Sequence, residues 1–260
     1  MKAQIVIPAR LASTRLPEKL LRRVGGKSIL QHTYEAASRA TLGHRVVAAV
    51  DDPRLADEVA AFGGQAIMTS AACESGTDRI AEVAAQMPEV DLFVNVQGDE
   101  PEIDPAAIDL VIQTLLDHPH ASMATVATPI RDPQRLQDSS CVKIVMAAIN
   151  QDAPPQVSLA GRAVYFSRAP VPFDRDGDIP AGLAAEPPIY WHHLGLYAYR
   201  RDFLAWFAAQ PASRLERIER LEQLRAIEAG KQIVVARVNA AIPGIDTQAD
   251  LDRFVARLKN

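Results

Sequence analysis

The chain has 260 residues, an apolar share of 48% and a formal net charge of −4. That length and apolar share suit one large α/β domain with an inserted lobe, or two small domains, each able to bury a core. A slightly acidic chain with no long basic run argues against nucleic acid as a main partner, and no apolar stretch of about eighteen residues is present to span a membrane.

The first half alternates strand-like and helix-like runs. Gln4–Pro8 reads as a buried strand that breaks at proline into a loop carrying Arg10, Ser13, Arg15 and Lys19. Arginine offers a planar fork and lysine a mobile charge to phosphate oxygens, so three cations at a strand end suggest a polyphosphate site. The acidic net charge makes such local cations necessary for any anionic ligand. A solvated turn is the plainer alternative. Helix Ser28–Arg39 follows, then strand Arg45–Val50 ending at Asp51-Asp52. Helix Pro53–Phe62 has Pro in its first turn and stops at Gly63-Gly64. Strand Gln65–Thr69, helix Thr77–Met87 with Thr77, Asp78 or both near its N-cap, strand Leu92–Gln97 and helix Pro105–Leu116 complete this half. Strands separated by helices predict parallel βαβ units in a doubly wound sheet.

The second half changes pattern. Ser122–Ile130, Val142–Ile149, Arg162–Ser167 and Ile189–Tyr199 read as strands without long helices between them, and Pro170–Pro188 reads as loop. These predict an antiparallel lobe over roughly residues 130–200 of a single 1–260 domain. Helices return at Arg201–Ala209 and Ser213–Ala229, the latter opened by the capping box Ser213-x-x-Glu216 and stopped at Gly230. Strand Gln232–Val238 leads through Pro243-Gly244-Ile245-Asp246-Thr247 into a last helix. Cys73 and Cys141 lack metal-type spacing and fit reduced thiols; with no signal-peptide pattern ahead of the first strand, a cytoplasmic protein is expected.

Candidate chemistry gathers at strand ends. Leu92–Val96 runs into Gln97-Gly98-Asp99-Glu100-Pro101, where carboxylate oxygens suit Mg²⁺ bridged to substrate phosphates. An ordinary turn is the alternative. Asp246, just ahead of a Thr247/Asp250 capping box, is a second carboxylate that can complete such a site, although on spacing alone an ordinary Asp before a helix is the preferred reading. Ser75-Gly76-Thr77-Asp78-Arg79 reads first as a helix cap. His192 and His193, adjacent on a strand, point to opposite faces and cannot easily share one ion, whereas His193, Gly195 and Tyr197 share a face. On a continuous helix, Glu219 lies beside both Glu222 and Gln223. The chain has no CxxC, HExxH, GxSxG or GxxxxGK[ST] motif.

With these residues assembled, the chain closely resembles the 3-deoxy-manno-octulosonate (Kdo) cytidylyltransferases from end to end. The markers are IPARLASTRLPEKLL, ESGTDRIAEV, VNVQGDEP, YFSRAPVPFDRD, HHLGLYAYR, LERIERLEQLR and PGIDTQADL. The resemblance implies a nucleotidyltransferase-type α/β fold, a mixed sheet with a smaller antiparallel lobe, and a homodimer. It implies an enzyme that transfers the cytidylyl group of CTP to Kdo, giving CMP-Kdo and pyrophosphate for lipopolysaccharide synthesis. It assigns Arg10, Ser13, Arg15 and Lys19 to the CTP phosphates, Arg79 and Gln97 to the cytosine end, and Asp99 with Asp246 to Mg²⁺. Tyr165, Arg168, His193, Tyr197, Glu222 and Gln223 fall around the sugar acid. Arg15, Lys19, Asp99 and Asp246 are the implied catalytic set. Two alternatives stand beside this: activation of another acidic sugar such as sialic acid or an amino-substituted Kdo, and a non-catalytic nucleotide-binding protein of the same fold. Two positions depart from the family pattern. Glu18 replaces a usual Gly, adding negative charge beside the phosphates, and Leu20 replaces a usual Pro.

Overall fold

The structure is a computed structural model that describes residues 1–13, 15–147, 159–175, 177–240 and 244–259. Its elements run β1 (Ala3–Ala9), a 3₁₀ turn (Lys19–Leu21), β2 (Arg23–Val24), β3 (Lys27–Ser28), α1 (Ile29–Ala37), β4 (Val46–Val50), α2 (Pro53–Ala61) and β5 (Ala66–Met68). Next come α3 (Gly76–Gln86), β6 (Leu92–Asn95), α4 (Pro105–Asp117), β7 (Met123–Pro129), α5 (Pro133–Gln137), β8 (Lys143–Ala147) and β9 (Leu159–Ser167). The chain closes with α6 (Ile179–Ala184), β10 (Trp191–Arg200), α7 (Arg201–Ala208), α8 (Arg214–Glu219), α9 (Gln223–Glu228), β11 (Ile233–Arg237) and α10 (Gln248–Leu258). Among the described residues no helix is long and apolar enough to cross a membrane.

Two compact units emerge. The first takes Met1–Ile112, Ala198–Ala209 and Ile242–Asn260. Its strands β4, β1 and β6 are mutually parallel, with β5 parallel beside β4, in the order β5-β4-β1-β6. Ile5, Val6, Ile7, Ala48, Val50, Phe93 and Val94 are all buried, the continuous apolar pattern of strands covered on both faces. Local signals start its helices. Ser28 caps α1, Asp52 with Pro53 opens α2, and Ser75 with Asp78 closes a capping box on α3.

The second unit takes Gln113–Tyr197 and Gln210–Ala241. Here β11 runs parallel to β7 but antiparallel to β9, and β8 pairs antiparallel with β9 and, through Lys143, with His192 of β10. The mixed α/β class and the antiparallel pairing both follow the sequence expectation.

Two expectations are corrected. Pro170–Pro188 is not all loop, because α6 forms inside it. Asp178 caps it by accepting from Ala181 N–H, Pro180 preorganises its first turn, and Leu183 packs with Ile130, Leu136, Cys141 and Tyr190. Nor is Ser213–Ala229 one helix. Arg220 adopts a left-handed conformation, φ 52°, and divides it into α8 and α9. Glu219 therefore leaves the helical register that would set it beside Glu222 and Gln223. Thr14, the end of the expected strand Val142–Ile149 beyond Ala147, Asp176 and Pro243 lie outside the described residues.

Candidate active site

In the first unit the cationic loop leaves the end of β1. Leu16 and Leu20 are buried and anchor it, while Arg10 and Arg15 are exposed and Ser13 is half-buried. Leu11 N–H donates to Asp51 Oδ1 at 3.0 Å. Glu18 then takes a left-handed conformation, φ 51°, and turns the chain into the 3₁₀ turn that begins at Lys19. Its carboxylate accepts from Arg54 at 2.7 Å, so the extra negative charge of Glu18 is directed at α2.

Lys19 is the centre of this cluster. Its ammonium donates to Asp99 and, at 2.9 Å, to Asp246 Oδ1, while Arg15 contacts Asp246 Oδ2 at 3.0 Å. Burial by itself lowers the Lys19 pKa; the charges and hydrogen bonds of Asp99 and then Asp246 outweigh it and hold the pKa above its ordinary value. The two carboxylates, 147 positions apart in sequence, meet because of backbone. Ile245 N–H donates to Asp99 O at 2.8 Å, and a Cβ on Gly244 would stand 3.3 Å from that same oxygen. Gly98 makes a similar close approach, where a Cβ would lie 3.2 Å from Pro8 O. Thr33 Oγ1 also donates to Gly98 O, at 3.0 Å. Thr247 and Asp250 form the expected capping box, leaving Asp246 outside the helix.

Arg79 is buried in the first turns of α3. It donates to Asp51 Oδ2 at 3.2 Å, to Thr69 Oγ1 and to Ser70 O. Gln97 Nε2 donates to Asn95 Oδ1 at 3.3 Å. Asp51 thus joins the cationic loop, through Leu11, to Arg79. Sequence reasoning stopped at noting that β4 ends at Asp51-Asp52; a carboxylate at a strand end was the available signal.

In the second unit, His193 and Tyr197 share a face as expected, their ring centroids 5.3 Å apart, and Phe166 meets His193 edge-on at 5.0 Å. Tyr165 lies on β9, opposite Val145. Arg168, just past β9, donates to Glu219 O at 2.7 Å, Ser139 O at 2.9 Å and Arg220 O at 3.3 Å. Glu219 accepts from Ser167 Oγ and Arg168 N–H, so the helix break puts it at the root of Arg168. Glu222 and Gln223 begin α9. Gln223 is 5% exposed, and its Nε2 is the buried side-chain nitrogen without a hydrogen-bond partner among the described residues. An orphan buried donor is costly unless a ligand satisfies it.

The cytidylyltransferase family model matches residues 4–233 of this chain. A 3-deoxy-manno-octulosonate cytidylyltransferase of Rhodopirellula baltica is 58% identical over 260 residues, covering 100% of both chains. That of Solibacter usitatus is 45% identical, covering 97% of this chain and 92% of its own. The chain belongs to the 3-deoxy-manno-octulosonate cytidylyltransferase family. A solved structure of a CMP:2-keto-3-deoxy-manno-octonic acid synthetase complexed with CTP superposes with a TM-score of 0.87 at 41% identity, covering 100% of this chain and 99% of that one.

For a cytidylyltransferase, the Asp99–Asp246 pair passes a test of fit to a metal. Both carboxylates reach one ammonium, so their oxygens converge on a single cation-sized position. Among the described residues no group of three or more His, Cys, Asp or Glu is placed to hold a metal. Two carboxylates with the remaining positions left to water and phosphate is a donor set that suits a hard divalent ion.

Proposed function

We propose that this chain transfers the cytidylyl group of CTP to the anomeric hydroxyl of Kdo, releasing pyrophosphate and CMP-Kdo. The observation that carries this reading is the convergence of Lys19, Arg15, Asp99 and Asp246 on one another in the first unit. Full-length relatives named for the same reaction support it.

In this reading the hydroxyl oxygen forms a bond to the α-phosphorus as the bond to the bridging oxygen breaks. The hydroxyl proton passes to solvent water, and the electron pair of the broken phosphorus–oxygen bond departs with pyrophosphate. Arg15 and Lys19 hold the charge that grows on pyrophosphate, with Arg10 and Ser13 also binding the CTP phosphates. Arg79 and Gln97 orient the cytosine end. Asp99 and Asp246 hold Mg²⁺, which when bound neutralises substrate charge. Tyr165, Arg168, His193, Tyr197, Glu222 and Gln223 hold the sugar acid, and the Gln223 Nε2, without a partner among the described residues, favours this assignment. No covalent enzyme intermediate is required, so positioning and electrostatics do the catalysis. The reading includes a homodimer in the cytoplasm, with the product passing to lipopolysaccharide.

Pyrophosphate release from CTP and Mg²⁺, with Kdo, with sialic acid and with neither, tests it. Release that requires Kdo and disappears with EDTA is expected. Release with sialic acid instead would reassign the sugar, and CTP binding without release would make the chain a non-catalytic nucleotide binder.

A further inference from the structure

Thr125, in the middle of β7, is fully buried, and its hydroxyl has three neighbours. His193 Nε2 lies at 3.1 Å, Leu194 O at 3.2 Å and Leu196 O at 2.8 Å. A threonine hydroxyl carries one proton and two lone pairs. Both carbonyls only accept, so the proton goes to them, chiefly to the nearer Leu196 O. The hydroxyl oxygen that faces the imidazole is then an acceptor, and the hydrogen between them belongs to His193 Nε2. Burial, with His192 alongside, holds the His193 pKa down to about 3, so the ring is neutral. A neutral imidazole protonated at Nε2 has only a lone pair at Nδ1.

The ring is held from other sides as well. Phe166 packs edge-on, Tyr197 lies tilted against it, and the His193 backbone N–H donates to Val142 O at 2.9 Å. The tautomer is thus set by a group that touches neither nucleotide nor sugar in the assignment above.

We propose that Thr125 is a positioning residue: it fixes His193 as the Nε2–H tautomer, so that Nδ1 accepts a hydrogen bond from a hydroxyl of the acceptor sugar. This rests on the reading that puts His193 at the sugar. Its chemical content is selective. A bare lone pair accepts from O–H and repels a carboxylate, whereas the opposite tautomer or an imidazolium would offer N–H to a carboxylate. The acid group of the sugar must then be met by other residues, and His193 recognises the polyhydroxyl part.

Histidine labelled with nitrogen-15 and long-range proton–nitrogen correlation spectra at pH 7 report the tautomer directly, with His193→Gln assigning the resonance. The parent protein should show the Nε2–H form. Thr125→Val removes the hydroxyl at nearly constant shape. It should admit the Nδ1–H form and raise KM for Kdo about tenfold, leaving KM for CTP unchanged. Thr125→Ser restores the hydroxyl and should keep the tautomer and bring KM for Kdo to within about twofold of the parent. An Nδ1–H form in the parent, or an unshifted tautomer in folded Thr125→Val, overturns the assignment. Should Thr125→Val not fold, the parent spectrum decides. A tautomer that shifts while KM for Kdo stays constant also overturns the positioning role, and it does so by removing His193 from the sugar.

Discussion

In the first unit Lys19 lies between Asp99 and Asp246 with Arg15 beyond them, and water reaches Asp246 and Arg15, whose side chains are 44% and 66% exposed. In the second, Thr125 is fully buried, and His193, Glu216, Gln223 and Arg225 are only 5–8% exposed. Charged groups that keep some hydration can exchange one partner for another when a ligand arrives. Nearly buried groups do so only where the ligand itself supplies the new partner, because otherwise a desolvated donor, acceptor or charge is left. In the function proposed above, the first arrangement would meet the charged triphosphate and metal. The second suits a neutral, directional contact that has to be in place beforehand.

The largest effect should come from opening the buried side. Arg225 grips Glu216 with two hydrogen bonds, 2.8 Å from Nε and 2.6 Å from the terminal nitrogen, and both residues are buried. Arg225→Met should cost about 3–5 kcal/mol in urea unfolding, since it strands a buried carboxylate, and Glu216→Leu added to it should recover much of that. A loss below about 1 kcal/mol would place the pair in effective contact with water and blur the comparison.

On the hydrated side the same logic predicts rate loss without unfolding. Asp99→Asn should lower turnover about a hundredfold or more in pyrophosphate release, with a melting temperature near that of the parent. Near-parental activity in the folded variant would remove Asp99 from the metal and leave Lys19 as the centre of a structural ion cluster.

A gentler probe is pH. The unfolded chain protonates His193 through about pH 6.5, whereas the folded protein resists down to about 3. Between those values the unfolded state holds more protons, so stability should fall as pH drops, by up to about 1.4 kcal/mol per pH unit for this one group. His192, held down to about 4 by burial and then by Arg135 and Lys143, adds to the slope over a narrower window. Urea unfolding at pH 6.5, 5.5 and 4.5 should show a shallower slope for His193→Gln, by one proton; equal slopes would mean that the imidazole is protonated in the fold.

How much of this was legible in the sequence follows from how local each signal is. The first unit could be read almost element by element, because its start and stop signals lie a few residues from what they bound, although α3 is capped by Ser75, ahead of the Thr77 or Asp78 expected. The cationic loop and Asp99 were legible for the same reason: each follows its own strand. The break at Arg220 was not, since nothing in Glu219-Arg220-Leu221 announces a left-handed residue. The small helix α6 was hidden in a Pro- and Gly-rich run, where Leu183 needed a packed neighbour to give it meaning. Asp51 and Thr125 act through partners 28 to 71 positions away, contacts that no periodicity encodes. The sugar residues became candidates only through the family resemblance.

Glu18 carries one more consequence. A non-glycine residue in the left-handed region is disfavoured by about 1 kcal/mol, and here the bend is accompanied by an exposed carboxylate–guanidinium pair with Arg54. The tether on the cationic loop is therefore ionic and open to solvent, with a strength set by the surrounding electrolyte as much as by packing. Amide hydrogen exchange across Leu16–Leu20 should quicken as salt is raised, and Glu18→Gly should abolish that dependence. Exchange in the parent that ignores salt would show that Leu16 and Leu20 alone hold the loop. With the salt dependence expected here, the ionic strength of the medium would set how firmly Lys19 is presented.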